Sequence, residues 1–109
     1  MKIDFTTMQE TILAQFKGGK KELKANMFFD GVNRIFKGTL VTGASIGRHT
    51  HETSSEIIYV LSGEGTMECE GEIEVLRAGD CHYCKKGQTH TLKNEQAEDL
   101  VFLAVVPEQ

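Results

Sequence analysis

The chain has 109 residues, 39% hydrophobic and 26% charged, a balance that supports one folded core and excludes a disordered tail. A formal charge of -4 and an isoelectric point near 5.5 exclude general binding to nucleic acid or anionic membrane, which relies on clustered Lys and Arg. The one basic cluster, Lys17, Lys20, Lys21 and Lys24, has no interleaved stacking aromatics and reads as a solvated turn.

The start, MKIDFTTMQE, has an acid at position 4 and no apolar run, so it does not read as an export signal, and no stretch approaches membrane-spanning length. The expected compartment is the cytoplasm. Three cysteines, an odd number, are expected as reduced thiols and not as a disulfide framework.

Thr7 and Glu10 have capping-box spacing, and Met8, Ile12 and Phe16 recur at intervals of four before Gly18 and Gly19, which predicts a short amphipathic helix over 8–16. Nine short runs follow: LKANMFFD, VNRIFKGTLV, IGRHTH, EIIYVLSG, GTMECE, EIEVLRAG, CHYCKK, HTLKN and LVFLAVV. Broken by Gly, Asp or Asn, they predict an all-β antiparallel sandwich or barrel. The expected organisation is a single domain over 1–109, with the helix and an entry segment over 1–25 and the barrel over 26–107.

Ile57 to Leu61 and Leu100 to Val106 are apolar at both alternating positions, so each strand needs cover on both faces. The interior covers one face, and a partner subunit meeting the outer face makes a homodimer the expected assembly.

Within GASIGRHTHETSSEIIYVLSG, residues 43–63, His49 and His51 are two apart, so on a strand their imidazoles project to one face while Thr50 points away. Glu56 opens the next apolar run, where a returning strand brings its carboxylate beside the pair. A further ligand is offered by GDCHYCKKGQTHTLKN, residues 79–94, in which His90 follows a glycine-bounded turn.

Residues 43–63 resemble the first cupin motif, G(x)5HxH(x)4E(x)6G, through Gly43, His49, His51, Glu56 and Gly63. Residues 79–94 resemble the second, G(x)5PxG(x)2H(x)3N, through Gly79, Gly87, His90 and Asn94, with Lys85 in place of proline. The resemblance implies a cupin double-stranded β-helix, or jelly-roll barrel, in which His49, His51, Glu56 and His90 hold one divalent metal and leave room for water or substrate. Such ligands suit manganese, iron, nickel, zinc or copper without choosing among them. Lys85 is expected to loosen the turn before His90, and Asn94 to satisfy backbone groups after it. The FKGGKKE segment also resembles the glycine-rich entry of small cupins.

Cys81 and Cys84 form a CxxC, but on a strand they point to opposite faces and do not bridge. Alternation pairs Cys81 with Tyr83 and His82 with Cys84, leaving open which pair faces inward. His82 is expected mainly as a surface residue, and Cys69, in phase with Met67, as core filling.

Cupins span dioxygenase, decarboxylase and isomerase chemistry as well as non-catalytic ligand binding. The resemblance therefore implies a small-molecule partner: an organic acid, enediol or sugar derivative that meets the metal. Arg48, Tyr59, His82 and Tyr83 are the candidate substrate neighbours. The alternative is a binding or sensing module whose metal is structural.

Overall fold

Each of the nine predicted runs forms a strand, and a tenth strand stands where the spacing predicts a helix. The structure, a computed structural model, describes residues 1–109. In chain order the strands are β1 (Thr11–Ala14), β2 (Glu22–Phe29), β3 (Asn33–Leu40), β4 (Ser45–Thr50), β5 (Glu56–Ser62), β6 (Glu64–Cys69), β7 (Glu72–Arg77), β8 (Cys81–Cys84), β9 (Thr89–Lys93) and β10 (Leu100–Pro107). A six-stranded sheet, β1-β2-β3-β10-β5-β8, faces a four-stranded sheet, β4-β9-β6-β7, and all pairings are antiparallel. This is the all-β jelly-roll barrel expected of the double-stranded β-helix.

The inward residues of the two sheets make one core, with Leu23, Phe36, Leu40, Ile58, Val60, Met67, Leu92 and Phe102 among its members. Phe102 and Phe36 meet edge to face, with ring centroids 6.0 Å apart. Burying a side chain of this size contributes about 1.5–3 kcal/mol.

The predicted helix over 8–16 does not form. Thr7, its expected N-cap, instead donates its hydroxyl to the Asp4 carbonyl at 3.1 Å, and Thr11–Ala14 pairs with Glu22–Ala25 as an edge strand. Gln15 and Lys17 then adopt left-handed backbone angles, φ 50° and 55°, leaving only a 3-10 turn at Phe16–Gly18. Interval-of-four spacing is a weak local preference, and a ready strand partner outweighs it here.

That turn lies directly on β4. A Cβ on Gly47 would stand 2.0 Å from the Lys17 carbonyl oxygen, and one on Gly19 would stand 2.0 Å from the Ser45 oxygen. Two glycines thus let backbone meet backbone, seating Phe16 and Lys17 at the mouth of the barrel.

On β5 the inward positions Glu56, Ile58 and Val60 are buried, while Ile57, Tyr59 and Leu61 are exposed on the outer face. Tyr83 of β8 pairs with Ile57 and is 53% exposed, so it extends the same outer apolar surface.

Candidate metal centre

His49 faces inward because β4 carries a bulge. Ile46 pairs with Leu92 and His49 with His90, a register shift that sets two residues of β4 against one of β9. Simple alternation from the buried Ile46 would turn His49 outward, and the extra residue re-aims it. His51 follows the strand and stays tied to the next turn, its N–H donating to the Gln88 carbonyl at 3.1 Å.

Lys85 opens that turn, which is tight and not loosened as the sequence predicts. The Lys85 N–H donates to Gln88 Oε1 at 2.8 Å, a bond that proline could not make. Gly87, at φ 91°, donates its N–H to the His51 carbonyl at 2.6 Å. The hairpin thereby hangs from the ligand segment itself. Beyond His90, Asn94 is buried, and its amide donates to the Leu40 and Glu98 carbonyls at 2.9 and 2.8 Å, the backbone-satisfying role expected.

The structure brings His49, His51, Glu56 and His90 together. Their Nε2 atoms form a triangle with sides of 3.1, 3.0 and 3.2 Å, and Glu56 Oε1 lies 3.1 Å from His51, 2.9 Å from His90 and 3.9 Å from His49. Ligands about 2.1 Å from a common centre stand about 3.0 Å apart at neighbouring corners of an octahedron, so the set has the dimensions of a metal-binding cage. The wider His49 to Glu56 separation approaches opposite corners.

The outer partners favour the same orientation. His49 Nδ1 lies 2.7 Å from the Gly47 carbonyl, which only accepts, so this nitrogen carries the proton and Nε2 presents its lone pair to the cluster. Ser54 Oγ lies 3.1 Å from His51 Nδ1, and His82 Nε2 lies 3.2 Å from His90 Nδ1.

Burial opposes ionisation of Glu56, but the surrounding imidazoles of His49, His51 and His90 outweigh it and hold the carboxyl well below its ordinary range. Burial lowers the His90 value, with Glu56 partly opposing it. The cluster therefore favours an ionised carboxylate beside a neutral imidazole, the protonation states that metal ligation requires.

The four expected substrate neighbours lie elsewhere. Arg48 points outward and pairs with Glu68 at 3.0 Å, while Tyr59 and Tyr83 occupy the outer face because inward Glu56 fixes the phase of β5 and its partner β8. His82 is neither a surface residue nor a cavity residue. It is 3% exposed behind His90, with Nδ1 3.1 Å from Glu74 Oε1. Of the two pairs on β8, His82 and Cys84 are the inward one.

Cys69 is more than core filling: its backbone pairs with His90, and its thiol lies within 4.8 Å of Cys84 and His82. Burial pushes the Cys84 thiol up to about 12 and raises that of Cys69, with acidic neighbours adding to both, which disfavours the thiolate form of each. Cys81 is exposed and points away.

A cavity of about 560 Å³ opens onto His49, His51 and Glu56, with walls that include Phe16, Met27, Phe36, Ile46 and Val106. Arg34 and Lys17 supply its basic groups. Arg34 pairs with no carboxylate: its guanidinium lies 4.3 Å above the Phe29 ring, with Nη1 3.0 Å from Met27 Sδ. Arg34 falls in no motif, and Lys17, read from the sequence as part of a solvated turn, lines the cavity instead; the tertiary arrangement places both beside the cluster.

A jelly-roll barrel with an internal three-histidine, one-glutamate cluster that could hold a metal ion, at the end of a cavity, is the class of β-barrel this chain defines. The chain belongs to the cupin family, whose cupin domain matches residues 36–106. It is 33% identical over 100 residues to the oxalate-binding protein of Thermotoga maritima, covering 86% of this chain and 83% of that one. A crystal structure described as a predicted oxalate decarboxylase from the same organism superposes with a TM-score of 0.93 at 29% identity, covering both chains in full. The polyketide cyclase RemF of Streptomyces resistomycificus shares the fold at a TM-score of 0.81 and 22% identity, covering 98% of this chain and 78% of that one. No helix is long and apolar enough to cross a membrane.

Proposed function

We propose that this chain is a mononuclear metal-dependent enzyme acting on a small organic acid of the oxalate class, with His49, His51, Glu56 and His90 as the metal ligands. The observation that carries the reading is the convergence of these four donors, three of which line a cavity shared with an arginine that has no carboxylate partner. A divalent ion bound there supplies Lewis-acid polarisation of a ligated oxygen and, where the metal is redox-active, one-electron chemistry. The donor set suits manganese, iron, nickel, zinc or copper.

The remaining roles belong to the protein. Arg34 offers a planar fork of donors that matches a carboxylate, and its seat on Phe29 and Met27 holds the guanidinium in place. Phe16, Met27, Phe36, Ile46 and Val106 exclude water and strengthen that ion pair. Glu52 lines the cavity without a hydrogen-bond partner and is the carboxylate available to deliver a proton. Non-oxidative cleavage of hydrogen oxalate yields formate and carbon dioxide, with the proton placed on the carbon that loses the carboxylate.

A second reading, an oxalate binder without turnover, is favoured by the binding role stated for the Thermotoga relative. We further propose a homodimer formed through Ile57, Tyr59, Leu61 and Tyr83 of the outer face, supported by the exposure of these four side chains in one chain.

The test is to measure metal content, then oxalate affinity by calorimetry and formate release, for the wild-type protein and Arg34→Gln. Formate release establishes the enzyme, and binding without formate establishes the binder. In either case loss of the charged hydrogen bond in Arg34→Gln weakens oxalate roughly tenfold to a hundredfold. Failure of the metal-loaded protein to bind oxalate at all sinks both readings of the ligand.

A further inference from the structure

His82 lies between two strands of the opposite sheet. Glu74 is on β7 and His90 on β9, both in the four-stranded sheet, whereas His82 projects from β8 of the six-stranded sheet. Its Nδ1 is 3.1 Å from Glu74 Oε1 and its Nε2 is 3.2 Å from His90 Nδ1. The two imidazole planes are 25° apart, and a centroid separation of 5.4 Å is what rings joined edge to edge through such a contact require.

We propose that Glu74 and His82 form a two-step hydrogen-bond relay that selects which nitrogen of His90 carries the proton, leaving the lone pair on the one that faces the metal-ligand cluster. An ionised carboxylate only accepts, so His82 donates its Nδ1–H to Glu74. A neutral His82 then has its lone pair on Nε2 and accepts from His90 Nδ1–H. His90 is left with its lone pair on Nε2, the atom 2.9 Å from Glu56 and 3.0 Å from His51 Nε2. Glu74 and His82 are positioning residues, acting only through His90.

The surroundings protect the relay. His82 and His90 are 3% and 2% exposed, so water does not compete for their shared proton, while the Glu74 side chain is 52% exposed and keeps its charge solvated. Cys69 and Cys84 lie within 4.8 Å of a His82 nitrogen, a group that also has the composition of a soft-metal site. Both nitrogens of His82 are engaged by Glu74 and His90, however, and the thiols, as weak donors, leave those bonds intact.

The test begins with the metal-free protein labelled with nitrogen-15 in histidine. Two-bond proton–nitrogen spectra are expected to show His82 and His90 both as the Nδ1–H tautomer, with His82 becoming a mixture in Glu74→Gln. Zinc(II) titration is then expected to show roughly 10- to 100-fold weaker binding in Glu74→Gln and His82→Phe, with partial recovery in His82→Gln, whose carboxamide oxygen can accept from His90. Glu74→Gln is nearly isosteric at a half-exposed position, so the proposal does not depend on the buried variants folding. An Nε2–H tautomer of His82 in the wild type, or unchanged zinc affinity in Glu74→Gln and His82→Phe, overturns the relay. The two tautomers in a wild-type protein that takes up no metal would support it and count against the metal centre instead.

Discussion

Glu56 Oε1 and His90 Nε2 lie 2.9 Å apart although their strands, β5 and β9, belong to opposite sheets. The cluster therefore ties the two sheets together as well as forming the candidate site, which couples its integrity to the stability of the fold.

Metal is expected to stabilise the protein through that closure. With free metal a hundredfold above its dissociation constant, the unfolding free energy rises by about 2.7 kcal/mol, and a chelator reverses the gain. Thermal melts with and without chelator check this. In Glu56→Gln the metal-dependent shift in Tm is expected to be largely lost, and a full shift in that variant would remove Glu56 from the ligand set.

Acid is expected to destabilise the metal-free protein in two stages. The His90 value lies below the ordinary 6.5 in the folded state, so between the two values the unfolded chain binds more protons and stability declines as the pH falls below 6.5. The Glu56 value lies well below 4.5, so its contribution is complete above 4.5 and declines as the pH falls from there toward the folded value. Urea unfolding across this range measures both stages, and in His90→Ala the decline just below 6.5 should diminish.

Gly47→Ala is expected to cost about 1–3 kcal/mol, because its Cβ would collide with the Lys17 carbonyl and lift the Phe16–Gly18 turn from β4. Since Phe16 and Lys17 line the cavity, ligand affinity should drop along with Tm. A variant that melts lower but binds its ligand as tightly as the wild type would separate the turn from the site.

Replacing Leu61 with Glu on the outer face is expected to convert a dimer to a monomer at micromolar concentration, as read by light scattering. Leu61 is 46% exposed in the single chain, so the charge costs the fold little. A wild-type protein that is already monomeric removes the interface.

Much of the site was legible in the sequence because its information is local. The paired histidines, Glu56 at the start of the following run, and the glycine-bounded turn before His90 each reflect strand alternation or turn chemistry within a few residues. The nine runs were legible for the same reason, since apolar residues separated by turn formers mark strands whatever their partners are. Long-range pairing decided the rest. It made a strand of Thr11–Ala14, placed the bulge that turns His49 inward, set His82 and Cys84 to face in with Tyr83 facing out, and brought Arg34 and Glu74 to positions that no motif marks. Local sequence specifies that a side chain alternates, but which face is the interior depends on register against strands distant in the chain, and only the closed barrel supplies that register.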